Sequence, residues 1–130
     1  MNEGPGTQED ANPLAGIDVA ESFVLSWSTE GESLLIDADL LLTPDHPAYE
    51  EPRPSEKHCY RPAYVEFPWC TGIRTGDRDT PAAVAVASLQ GGKISALRAA
   101  GDGSWELNGE FGAVIILAEA PMVRLKNHRA

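Results

Sequence analysis

The chain has 130 residues, 42% of them hydrophobic and 23% charged, so it can bury a core as one domain, and disorder of the whole is excluded. Its formal net charge is −10, and that charge is unevenly placed. Residues 1–52 hold twelve acids and no Lys or Arg, whereas all ten bases, from Arg53 to Arg129, follow with the other eight acids. Such a surface repels phosphates, so nucleic acid is not an expected partner.

Residues 1–16 read as a flexible tail, punctuated by Gly4, Pro5, Gly6, Pro13 and Gly16, ahead of a single β-rich domain over 17–130. The opening residues have neither a basic nor an apolar signal-like region, which suggests a cytoplasmic address. No apolar run approaches the roughly 18 residues of a membrane helix, so no membrane partner is expected.

The first strand signal is residues 23–28, where Phe23, Leu25 and Trp27 alternate with Val24, Ser26 and Ser28. A short loop at 29–32 with Gly31 leads into residues 34–43. There Leu34, Ile36, Ala38, Leu40 and Leu42 form one apolar face, and Asp37 and Asp39 stand on the other. The two runs predict a hairpin. Residues 44–58 read as a long loop stiffened by Pro44, Pro47, Pro52 and Pro54.

A third strand is expected over 60–73, with Ala63, Val65, Phe67 and Trp69 on one face and Pro62 and Pro68 arguing for an edge position or a bulge. A turn follows at 75–77. Thr80 as N-cap, Pro81 at the first helical position and Gly91 past the end predict a short helix over 82–89, although the Ala-Val alternation also fits a strand. A meander completes the chain, with strands at 94–100, 104–107, 111–118 and 122–126. Its turns are at 101–103 and at Asn108 with Gly109, a type I′ signal. The fold class expected is mainly β, an antiparallel sandwich or partly open barrel of about six or seven strands with one short helix.

Several residue groups could carry chemistry. The 44–58 loop holds Asp45, His46, Tyr49, His58 and Cys59, with Tyr60 just beyond, and so offers bases, nucleophiles and ligands. The plainer reading is a surface crossover anchored by Tyr49. His46, His58, Cys59 and Cys70 are donors suited to zinc or copper, but their spacing matches no ligand motif, and no metal or cofactor is called for. Cys59 and Cys70 are expected as free thiols rather than a disulfide.

Asp37 and Asp39, two apart on one strand, could bind a cation or divide acid and base roles; a solvated strand face explains them as well. Trp27, Phe67, Trp69 and Trp105 could line a ligand cavity, or simply fill the core. No phosphate loop, nucleophile elbow or metalloprotease helix is present in the sequence.

These features do not specify a function. The favoured expectation is a non-enzymatic binding module whose acidic first part meets a basic protein partner, with Asp37, Asp39, His46, Tyr49, His58 and Tyr60 as candidate binding residues. The same acids would also serve solubility alone. The alternatives are a small-molecule-binding barrel with an aromatic-lined pocket, and a small hydrolase or metal enzyme using the loop from His46 to Cys59.

Overall fold

A computed structural model describes residues 14–52, 54–55 and 57–126. Two long strands dominate it, β1 (Ile17–Glu30) and β2 (Ser33–Leu42), paired antiparallel through a turn at Gly31, where φ is 60°. The alternation in β2 works as the sequence implies. Leu34, Ile36, Ala38, Leu40 and Leu42 are all buried, because successive side chains point to opposite faces of the sheet. Leu35 and Leu41 are buried as well, so the other face of β2 is only partly wet.

The remaining strands are β3 (Cys59–Phe67), β4 (Gly72–Thr75), β5 (Arg78–Thr80), β6 (Gly92–Ala99), β7 (Ser104–Gly109), β8 (Gly112–Leu117) and β9 (Met122–Leu125), with one helix, α1 (Ala82–Ala85), between β5 and β6. All nine strands lie in one antiparallel sheet of order β9-β3-β2-β1-β6-β7-β8-β4-β5. Its two halves meet at the β1–β6 pairing, where Phe23 faces Lys93 and Val24 faces Gly92. The sheet curls over its own core without closing. Phe67 on β3 and Trp105 on β7 are separated by three intervening strands, yet their rings lie 6.3 Å apart. Burying Phe67 completely contributes about 1.5–3 kcal/mol, and the facing Ile73, Leu107, Val114 and Ile116 add similar amounts each.

Bulges in β1 make this curvature. Between Asp18 and Phe23 the chain advances five positions while β2 advances two, from Leu41 to Asp39. Ser22 sits in the excess, fully buried. Its hydroxyl donates to the Asp18 carbonyl at 2.9 Å and accepts from the Leu41 amide at 2.9 Å, replacing the ladder bond that the bulge removes.

Several expectations are corrected. Among the described residues there are nine strands rather than about six or seven. The first begins at Ile17, earlier than its apolar alternation suggests. The strand expected over 60–73 is broken at residues 68–71 into β3 and β4, and Arg78–Thr80 adds a further strand to β4. Despite Pro62, β3 is an interior strand, flanked by β2 and β9; Pro68 marks its end instead.

The helix is shorter than expected, four residues, and Thr80 is not its cap: Thr80 belongs to β5, and Pro81 occupies the cap position without a side-chain bond. Asn108 and Gly109 are not the turn. Gly109 pairs with Gly112, so the reversal falls at Glu110 and Phe111, and the positive φ, 102°, is at Gly112. The strand expected at 111–118 is β8, and it lies in the sheet interior between β7 and β4, as its apolar residues on both faces require.

Of the expected tail, residues 1–13 lie outside the described residues. Residues 14–16 form a turn that the Thr43 amide caps by donating to the Gly16 carbonyl at 2.9 Å.

Candidate functional site

One end of the sheet gathers four chain segments around Trp69. The Gly31 hairpin tip contributes the Glu32 backbone, and the break between β3 and β4 contributes Trp69 and Thr71. The β6–β7 turn contributes Asp102, and the residues after β8 contribute Glu119.

Backbone bonds bring these segments together. The Cys70 amide donates to the Glu32 carbonyl at 2.8 Å, the Glu119 amide to the Pro68 carbonyl at 3.0 Å, and the Thr71 amide to the Leu117 carbonyl at 2.8 Å. Residues on both sides of Trp69 are thus pinned to different strands. Trp69 itself is held at φ 53°, the only non-glycine residue with positive φ among the described residues. That conformation is disfavoured for a bulky side chain by roughly 1–2 kcal/mol.

The consequence is orientation. Ala63, Val65 and Phe67 point into the core, and continued alternation would bury Trp69 beside them; the left-handed residue turns it outward, 61% exposed. It lines an open groove of about 780 Å³ together with Thr71, Trp105, Leu117, Asp102 and Glu119, and among the described residues no base lines that groove. Asp102 is oriented by the Ser104 hydroxyl, which donates to it at 2.5 Å. Of the four aromatics singled out from the sequence, Trp27 and Phe67 are core residues, and Trp69 and Trp105 meet in the groove.

Ion pairing leaves this end acidic. Lys126 pairs with Asp37, Arg61 with Glu50, Lys93 with Glu21, Arg124 with Glu66, Arg74 with Asp79 and Arg98 with Glu106. Glu30, Glu32, Asp102 and Glu119 take part in none of these pairs. Like charges around an apolar ring make a field that attracts cations.

The residues expected to form a site are distributed differently. Asp37 is neutralised by Lys126 at 2.5 Å, above the Tyr64 ring. Asp39 is partly buried between Phe23 and Pro62 on the neighbouring strands, and desolvation raises its carboxyl pKa above the ordinary aspartate value. Tyr60 and His58 join the same region, with rings 6.0 Å apart and Tyr60 6.0 Å from Phe23; the Tyr60 hydroxyl donates to the Glu21 carbonyl at 3.1 Å.

His46 lies elsewhere, in the turn after β2, where its Nδ1 accepts from the Ala48 amide at 3.0 Å. Tyr49 packs against the core cluster as an anchor. Among the described residues no three His, Cys, Asp or Glu side chains converge as a metal site, and Cys59 and Cys70 are free thiols. The signal missed in the sequence was Pro68 directly before Trp69: the proline ends the strand, so the alternation cannot be carried across it.

No protein-family model, no curated protein and no solved structure matches this chain. Among the described residues no helix is long and apolar enough to cross a membrane.

Proposed function

We propose that the protein is a non-enzymatic binding module, and that it captures a basic segment of a partner protein in the Trp69 groove. One observation carries this reading. An exposed tryptophan, held outward by a disfavoured backbone conformation, shares a groove with Asp102 and Glu119 and, among the described residues, with no base. A Lys or Arg side chain set on an indole face beside a carboxylate gains about 0.5–2 kcal/mol from the ring and further from the charge. Tryptophan is also enriched among residues that dominate binding energy at interfaces. Because Asp37 is already paired with Lys126, this reading sets the acidic binding face at this end of the sheet rather than on β2. Free thiols at Cys59 and Cys70 agree with a reducing, cytoplasmic setting for the encounter.

A second reading, a small apolar ligand, is favoured by the presence of Trp69 and Trp105 in one groove. The same experiment separates the two. Fluorescence anisotropy of a labelled arginine-rich peptide and of a glutamate-rich control should show binding of the first alone, weakening with salt. Trp69→Ala, and Asp102→Asn with Glu119→Gln, should each weaken it by about tenfold or more. Unchanged binding in these variants would overturn the reading.

A further inference from the structure

The far edge of the sheet carries a second cleft, which shares no residue with the Trp69 groove and whose argument is independent of it. It has a volume of about 410 Å³ and lies between the β4–β5 hairpin and α1. Arg78, Thr75 and Thr80 line its floor, and Val84, Ser88 and Leu89 its wall.

Register decides which side chains face it. Thr75 pairs with Arg78, and Ile73 with Thr80. Cross-strand partners share a face, as do residues two apart, so Arg78, Thr75 and Thr80 stand on the same face as the fully buried Ile73. Arg78 is therefore on the face of the sheet that carries the core, but beyond the core's edge, where it is exposed.

Its carboxylate neighbours do not serve it. Asp79 alternates to the opposite face, where it takes the Arg74 guanidinium at 2.6 and 3.3 Å. Arg61, Arg74, Arg98 and Arg124 all have carboxylate partners; among the described arginines Arg78 alone has none. In a chain with twenty acids against ten bases, that vacancy is set by position rather than by a shortage of acids. Thr75 and Thr80 line the cleft beside Arg78, with Val84 and Leu89 opposite them as apolar wall, Val84 being 61% exposed.

We propose that this cleft binds a small monocarboxylate with an apolar tail. Arg78 takes the carboxylate through its planar fork, the threonine hydroxyls donate to the remaining lone pairs, and the tail covers Val84 and Leu89. The guanidinium geometry matches a carboxylate edge-on, and the wall offers nothing to a second charge.

Two-dimensional NMR of the full chain, titrated with hexanoate, tests this. Hexanoate should shift the Arg78 side-chain Nε–H resonance together with the Val84 and Leu89 methyls, whereas hexylamine should leave them in place. Arg78→Gln should weaken the response by about tenfold or more. Val84→Asp, at an exposed position, should suppress it by presenting the fork with a carboxylate of its own, and it serves as a second test should Arg78→Gln perturb folding. Hexanoate shifts that persist in both variants would overturn the site. Inorganic phosphate acting as strongly as hexanoate would overturn the apolar tail.

Discussion

Lys126 Nζ lies 2.5 Å from Asp37 Oδ1 although 89 positions separate them, and the Tyr64 ring lies 4.7 Å from the ammonium. Strand order makes the contact: Asp37 pairs with Tyr64 across β2 and β3, and β9 brings the chain end alongside β3. Glu21 with Lys93 and Glu50 with Arg61 repeat the pattern, so acids of the first part of the chain meet bases of the second. A double-mutant cycle of Asp37→Asn and Lys126→Met, read from urea midpoints, should give a coupling of about 0.5–1 kcal/mol. The hydrogen bond from Lys126 to Asp37 raises the lysine pKa, so the coupling is present at neutral pH and on the alkaline side is lost as pH climbs through that raised value. A coupling near zero at neutral pH would show that the pair is not maintained in solution.

Ser22→Ala should destabilise the fold by about 1–3 kcal/mol, because it leaves the buried Leu41 amide without its acceptor. Chemical denaturation measures it. A negligible change would mean that the bulge in β1 is held by other contacts.

Gly109→Ala should cost about 1–3 kcal/mol for a steric reason. A Cβ there would press on the Lys93 carbonyl and would come within 2.6 Å of the Phe111 ring, which packs edge-on against Trp27. Gly112→Ala, with φ 102° but open space around it, should cost about 1 kcal/mol from backbone strain alone. Denaturation midpoints that reverse this order would show that the turn sits at Gly109 after all.

Asp39→Asn should raise the melting temperature at neutral pH. Desolvation raises the folded-state pKa of Asp39, so between its ordinary value, about 3.9, and the raised one, the folded chain binds the extra proton. Stability therefore falls as pH rises through that window, and a neutral amide escapes the loss. The gain should shrink as pH drops below the ordinary aspartate range. Melting curves across acid to neutral pH that show no such convergence would contradict the assignment.

Trp69→Gly should leave stability within about 1 kcal/mol of the parent, or raise it, because relief of the left-handed strain offsets the lost contacts of a largely exposed ring. The same variant should lose the basic-peptide binding. A drop of many degrees in melting temperature would identify Trp69 as a packing residue instead.

Much of the strand content was legible because Leu34, Ile36, Ala38, Leu40 and Leu42 of β2 keep one apolar face in period two and the sequence of β8 is apolar on both faces, as strands with one or both faces covered require. Pro68 signalled an irregularity but not a full break, and the short β5 and the turn after Gly109 were not legible. Each depends on which partner strand the segment meets, and a three-residue strand such as β5 carries no periodicity of its own. The candidate site was legible only as a list of aromatics, in which Pro68 directly before Trp69 is the one local feature that sets it apart from Trp27.

By itself, then, the amino-acid order determined a mainly β domain, the inward face of β2 and the division of charge into an acidic first part and a mixed remainder. These depend on near neighbours in the chain and on composition. The tertiary structure alone decided that Asp37 is neutralised, that Trp69 faces out and that Arg78 stands without a carboxylate. Each of those outcomes depends on strand order and register, which bring together residues far apart in the chain, and a one-residue change of register would send every side chain involved to the opposite face.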